Sequence, residues 1–231
     1  MRRIPICILR ALILAGAVGL PSSAQEQSVK PGINQNFQNP NPAEFIKRFE
    51  RAGRDIYDYR EKIVEACGLQ PGTDIADVGA GTGLFSRLFA QKVGPKGVVR
   101  AVDISDEFVA HITNTCAAAG ITNVIASVCA SDDIGLPPDS TDVAFVCDTY
   151  HHLEFPQKTL RSIHRALREH GRLVVIDFER IPGKSSQWIL DHVRAGKDLV
   201  RKEIESAGFH FGEEKGFLRE NYLMVFEKPG P

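Results

Sequence analysis

The chain has 231 residues, with 28 Lys+Arg against 29 Asp+Glu, a formal charge of −1 and a hydrophobic content of 43%. At about 100–200 residues per domain that length makes one sizeable core, and a charged fraction of 25% argues against disorder. Without a basic excess there is no electrostatic basis for gripping phosphates, so a nucleic-acid partner is not expected.

Residues 1–24 open the chain with Arg2, Arg3 and Arg10, then the uncharged run ALILAGAVGL and the small residues Ser22, Ser23 and Ala24. This is the pattern of a cleaved secretory signal peptide, which makes the mature protein exported, periplasmic or secreted. An uncleaved membrane tether is the alternative. Ten apolar residues reach about 15 Å as a helix, half of a hydrocarbon core, so no stable membrane span is expected in the mature chain. Without those three arginines, 25 basic side chains face 29 acidic ones, a net charge of −4. Residues 25–42, rich in Asn, Gln and Pro, read as a flexible arm.

Order is expected from residue 43, giving a domain over 43–231. Phe45, Ile46, Phe49, Ile56, Tyr57, Ile63 and Val64 suit helical spacing over 43–67, with Gly53 as a break. Short runs rich in Val, Ile and Ala then alternate with amphipathic helices. The predicted strands are 74–80, 98–104, 124–130, 142–147 and 172–178, and the helices between them are 84–93, 106–119 and 156–168. Leu84, Phe85, Leu88, Phe89 and Val93 share one helical face, as do Phe108, Val109, Ile112, Cys116 and Ala119, as sheet-packing helices require. A helical region over 185–207 and two strands at 209–217 and 221–227 complete the chain. Only three residues separate those last strands, which favours an antiparallel hairpin at the sheet edge. The fold class is α/β, a doubly wound, mostly parallel seven-stranded sheet with an antiparallel C-terminal hairpin.

Cys67, Cys116, Cys129 and Cys147 fall after residue 24. Their even number in an exported chain invites disulfides, but the apolar runs around Cys116, Cys129 and Cys147 favour buried free thiols. Neither paired cysteines nor histidines at helical spacing occur, so no metal site is expected.

The chemistry concentrates where the first strand ends, in Asp77-Val78-Gly79-Ala80-Gly81-Thr82-Gly83. A dinucleotide fingerprint places its third glycine three residues after the second, and here that position is Leu84. The observed Asp-x-Gly-x-Gly-x-Gly resembles motif I of class I S-adenosylmethionine (SAM) dependent methyltransferases, of the small-molecule type similar to the ubiquinone/menaquinone-biosynthesis enzymes. The resemblance covers about residues 63–178 and implies SAM as cofactor and a small-molecule methyl acceptor. It places Gly79, Ala80, Gly81 and Gly83 around SAM, with Asp77 on the methionine ammonium. Asp103, at the end of the second strand, would take both ribose hydroxyls, for which an acceptor-only carboxylate is suited. Ile104 would lie on the adenine, Asp132 and the Asp133 backbone would meet its edge, and Asp148 would face the methionine end. Ser131 and Asp133 depart from the family's glycine and small residue at those places.

The resemblance also puts His151-His152 beside the methyl group, with His151 as a general base and Asp177 as its support. Imidazole is substantially neutral near pH 7 and suits that work. Phe49, Arg54, Tyr57 and Arg60 from the N-terminal helix, and Glu179, Arg180, Trp188, His192 and Arg194 after strand five, are candidates for the roof. Two other functions fit the same fold: a non-catalytic module that binds SAM or S-adenosylhomocysteine, and an aminopropyltransferase-like enzyme. The second needs an acidic pair after strand four, where Tyr150-His151-His152 stands.

Overall fold

In the computed structural model, which describes residues 27–230, seven strands form one sheet in the order β3-β2-β1-β4-β5-β7-β6. The strands are β1 (Ile75–Val78), β2 (Val99–Asp103), β3 (Val124–Val128), β4 (Thr141–Cys147), β5 (Leu167–Phe178), β6 (His210–Glu214) and β7 (Asn221–Glu227). The first five are parallel, and β7 runs antiparallel between β5 and β6. The chain reverses its winding between β1 and β4, and the carboxyl ends on either side of that point open the crevice in which open α/β sheets bind ligands.

Both faces of the sheet are covered, and the covering follows the pleat. Along β4, Val143 and Phe145 join Ile63, Phe85 and Phe89 on one side, while Ala144 and Val146 join Leu160, Ile163 and Ile204 on the other. The first side carries α3 (Arg60–Ala66) and α4 (Leu84–Val93); the second carries α6 (Pro156–Ala166) and α8 (Lys197–Ser206). α5 (Asp106–Ala118) packs on β2 and β3 through Ile112 and Cys116. Its start is fixed by Ser105, whose Oγ accepts from the Phe108 N–H at 3.3 Å.

Several boundaries differ from those expected. The N-terminal helix breaks at Gly53, as its sequence suggests, and again at Tyr59, giving α1 (Pro42–Phe49), α2 (Asp55–Asp58) and α3. The helical region expected over 185–207 consists of two helices, α7 (Gln187–His192) and α8. At the break Arg180 donates to the carbonyls of Leu190 and Val193, both at 2.9 Å, satisfying groups that the end of α7 leaves without helical partners. β6 ends at Glu214, leaving six residues before β7 instead of three.

The signal-like residues 1–24 lie outside the described residues. In the part of the arm that is described, polar composition does not mean a loose chain. The Val29 N–H donates to the Glu154 carbonyl at 2.9 Å, and Asn34 Nδ2 to the His152 carbonyl at 3.1 Å. Phe37 sits 5.3 Å from Phe45 and 5.0 Å from His152, ring centre to ring centre. Most of those contacts involve residues more than a hundred positions away, which composition alone does not reveal. The four cysteines at 67, 116, 129 and 147 are free, and burial pushes the Cys67 and Cys129 thiols up to about 12. Among the described residues no helix is long and apolar enough to cross a membrane.

Candidate active site

A cavity of about 660 Å³ opens at the carboxyl edge of the sheet, within the range of about 300–1,000 Å³ typical of small-molecule sites. Its floor is the turn from β1 into α4. Gly79 and Gly83 have φ of 69° and 72°, a left-handed backbone that only glycine adopts without strain. A Cβ on Gly79 would fall inside the side chain of Thr149, and one on Gly83 would meet Ile112 Cγ1 at 2.7 Å. At Gly81, φ 53°, nothing lies within 4 Å of where a Cβ would be, so bare backbone borders the cavity.

Two carboxylates flank this turn. Asp77 is 4% exposed, and its side chain accepts from the Ser86 hydroxyl at 2.6 Å. Burial, aided by the nearby Asp103 and opposed by the Ser86 hydrogen bond, pushes its carboxyl up to about 7. Asp103 closes the other side: Oδ2 accepts from the Gly81 N–H at 2.8 Å and Oδ1 from the Ser105 N–H at 3.0 Å. Burial raises its pKa, against the pull of those backbone donors. A carboxylate has more acceptor sites than these two bonds consume, so both oxygens keep capacity for a diol.

Asp148 follows β4 with φ 47°, an uncommon conformation for a residue with a side chain. Arg54, from the residue before α2, donates to Oδ2, and Asn221 Nδ2 donates to Oδ1 at 2.7 Å. Burial still holds the carboxyl up at about 6, against the attraction of Arg54.

The next residues form a short 3₁₀ turn, Tyr150–His152. The Tyr150 hydroxyl donates to Glu203 at 2.8 Å, and Arg194 holds that Glu203 through two bonds of 2.8 Å. Turned this way, His151 is buried against Asp177, with Nδ1 2.7 Å from Oδ1 and its backbone N–H donating to Oδ2 at 2.9 Å. Burial disfavours the charged imidazole, but the Asp177 carboxylate outweighs it and holds the ring above its ordinary value. Nδ1 is the donor to that carboxylate, which leaves the lone pair of the neutral ring on Nε2. His152 goes the other way: burial and the neighbouring His151 and His192 push it down to about 2.

Of the residues picked from sequence, Asp77, Gly79, Ala80, Gly81, Asp103, Ile104, Asp148 and His151 line the cavity. Gly83 lies beneath it as the cap of α4, and Asp177 stands behind His151. Asp132 and Asp133 do not line it. Asp132 pairs with Lys158 at 3.1 Å and Asp133 with Arg165 at 3.0 Å, both bases of α6, so that Ala130 and Ser131 form the cavity wall instead. Of the roof candidates, Phe49, Arg54, Trp188 and His192 face the cavity, whereas Tyr57, Arg60, Glu179, Arg180 and Arg194 do not.

Sequence spacing missed three kinds of contributor. Asn34 and Phe37 arrive from the arm. Thr149 packs on Gly79. Most of all, although no metal-binding spacing is present, His151, His152 and His192 converge, with one ring nitrogen of each within 4.8 Å of the others. His192 stands forty residues from His152, so no local motif announces the group.

The geometry has its counterpart in known proteins. Residues 69–221 match the family model described as a methyltransferase domain. The chain is 31% identical over 164 residues, 71% of its length and 59% of the relative's, to the ubiquinone/menaquinone biosynthesis C-methyltransferase UbiE of Ectopseudomonas mendocina. With UbiE of Vibrio vulnificus it shares 29% over 123 residues, 53% of this chain and 47% of the relative. The chain thus spans about half the length of the curated relatives it matches. The crystal structure of a SAM dependent methyltransferase from Aquifex aeolicus superposes with a TM-score of 0.73 at 25% identity, over 82% of this chain and all of that one. Together with the glycine turn between two buried carboxylates, these matches show that the chain belongs to the class I SAM-dependent methyltransferases.

Proposed function

We propose that this protein transfers a methyl group from SAM to a small, apolar acceptor bearing an acidic O–H, N–H or C–H, bound under the arm and α7. The observation that carries this reading is the turn 79–83, bare at Gly81 and flanked by Asp77 and Asp103. These residues fit SAM. Asp77, a buried acid held by a neutral hydroxyl, has room in its charge balance for an ammonium; Asp103 has acceptor capacity for a ribose diol; Ile104, 38% exposed, offers an apolar face. When bound, SAM supplies the activated methyl group on its sulfonium.

The chain's own contribution is then placement, water exclusion and proton handling. Phe178 and Trp188, in edge contact at 5.5 Å between ring centres, give the acceptor end an aromatic wall. His151, fixed by Asp177, presents the Nε2 lone pair there and accepts the acceptor's proton. Because the relatives at 31% and 29% identity carry the name C-methyltransferase, a quinol-like aromatic ring is the acceptor class to test first.

Calorimetry with SAM, followed by a methyl-release assay over quinols, phenols, amines and thiols, tests the proposal. Asp103→Ala is expected to weaken SAM binding by about 1.5–3 kcal/mol without unfolding the chain, and His151→Ala to lower turnover while SAM affinity holds. Unchanged affinity in the first, or equal loss of affinity and turnover in the second, removes the role assigned. Binding without turnover on any acceptor supports a SAM-binding module in place of an enzyme. Export of the mature chain is proposed from residues 1–24, and N-terminal sequencing of the natively made protein from fractionated cells tests it.

A further inference from the structure

We propose that His151, His152 and His192 form a binding site for one divalent transition-metal ion of the zinc class, at the acceptor end of the cavity. The group rests on geometry that no single element creates. His151 and His152 come from the 3₁₀ turn after β4, and His192 is the last residue of α7, between the Leu190 and Val193 carbonyls that receive Arg180. His152 Nε2 and His192 Nε2 are 3.4 Å apart. Two nitrogens each about 2.0–2.1 Å from a tetrahedral ion lie about 3.3–3.4 Å apart, so this pair already has the bite of a zinc site.

The third nitrogen completes it. All three ligand atoms lie within 4.8 Å of one another, and drawing the widest gap to tetrahedral spacing moves a ring by about 1–1.5 Å. His192, half-buried on a helix of six residues, has that freedom. His151 Nδ1 sits on Asp177, the carboxylate–histidine arrangement that fixes the tautomer and keeps Nε2 as the nitrogen free to bind an ion. Three neutral imidazoles suit Zn²⁺, Cu²⁺, Ni²⁺ or Fe²⁺, and the cavity that all three residues line leaves further coordination positions open.

The alternative is a plain hydrogen bond in which one of the two Nε2 atoms donates to the other. Either arrangement leaves His152 Nδ1 buried without a partner, so that atom does not separate them; a hydrogen bond joins only two of the rings, whereas an ion accounts for all three being gathered with centres 4.3–5.2 Å apart. The charges around the group are mixed. Asp177 and Asp148 favour a cation, while Lys30 Nζ, held on the Asp191 and His192 carbonyls, opposes one. The Nε2 lone pair of His151 serves either the ion or a proton. In the metal-loaded chain the ion takes over the acceptor end, a consequence that rests on the methyltransferase reading, whereas the metal site itself does not.

The test uses the full chain freed of any histidine tag, stripped with EDTA, and titrated with Zn²⁺ against a chromophoric chelator. One Zn²⁺ per chain is expected. His192→Ala and His152→Ala should each weaken binding by more than about 100-fold, beyond the 10–100-fold typical of an outer partner, and Asp177→Asn by about 10–100-fold. His164→Ala, on α6 against Phe209, should leave it unchanged. Co²⁺ added to the wild-type chain gives a second readout that needs no variant: intense visible bands of a four-coordinate ion support the site, and the weak bands of a six-coordinate ion overturn it. Failure of the wild type to retain Zn²⁺, or a His192→Ala chain that melts like wild type and binds as tightly, also overturns it. SAM calorimetry on the stripped chain reads the cofactor site separately.

Discussion

Asp77 makes the unliganded protein lose stability as pH rises, and replacing it with Asn should remove that loss. The carboxyl is 4% exposed, and the group that hydrogen-bonds its side chain is the neutral Ser86 hydroxyl. Burial moves it from its ordinary 3.8 to about 7 in the folded chain. Below about pH 4 it is protonated whether the chain is folded or not, and contributes no pH dependence. Between about 4 and 7 the unfolded chain ionises and the folded one does not, so stability falls by about 1.4 kcal/mol per pH unit. Above 7 both are ionised and the full penalty stands, at most about 4 kcal/mol over that interval. Asn keeps the acceptor for Ser86 and carries no charge. Urea unfolding of ligand-free wild type and Asp77→Asn at pH 5, 6, 7 and 8 should show the variant more stable by about 2–4 kcal/mol at pH 8, with the difference shrinking toward pH 4. The comparison reads Asp77 together with its coupling to Asp103, whose charge adds to the rise and which feels the loss of the Asp77 charge in turn. The variant should also bind SAM more weakly, having lost its ammonium partner. A wild-type chain no less stable than the variant at pH 8 would refute the reasoning.

Gly79→Ala forces a side chain into a left-handed backbone and against Thr149, and thermal unfolding should show a loss of about 2–4 kcal/mol. Arg54→Ala strands the Asp148 carboxylate, whose side chain is 11% exposed; a cost of about 3–5 kcal/mol is expected at pH 8. That cost should shrink at pH 5, where the stranded carboxyl takes a proton, and Asp148→Asn in the same chain should restore most of it, as read by urea unfolding. Phe37→Ala removes the ring that anchors the arm on Phe45 and His152, and limited proteolysis should then cut residues 27–40 faster while the thermal midpoint of the domain moves little.

The parts of this molecule that were legible in the sequence are those fixed by local physics. The glycine turn needs left-handed φ at Gly79, Gly81 and Gly83, and the pattern states that directly. The mostly apolar run Ile75–Val78 is the fully buried β1, and the helical spacing of Phe85, Phe89 and Val93 on α4 and of Phe108, Ile112 and Cys116 on α5 marks the faces those helices bury. What escaped depends on partners far along the chain. The ion pairs that Asp132 and Asp133 make with Lys158 and Arg165, some thirty positions on, are not visible in the sequence. The helical region over 185–207 does not reveal where it divides, at carbonyls that receive Arg180, nor that His192, the last residue of its first piece, meets His152 forty positions away. A side chain chooses among several possible partners by distance in space, and a list of residues does not contain that distance.

The docked arm has a consequence for how the protein is made. Residues 28–37 leave the ribosome early, yet the groups that receive them, the carbonyls of His152, Glu154 and His192, come 118–162 positions later. At about 5–20 residues per second, the arm waits for roughly 6–30 s before it has anywhere to bind. A greasy segment would use that interval to find wrong contacts, whereas one dominated by Asn, Gln, Gly and Pro stays hydrated. Its low apolar content is therefore suited to a strap that must remain idle through synthesis and be fastened last, with Phe37 as its buckle.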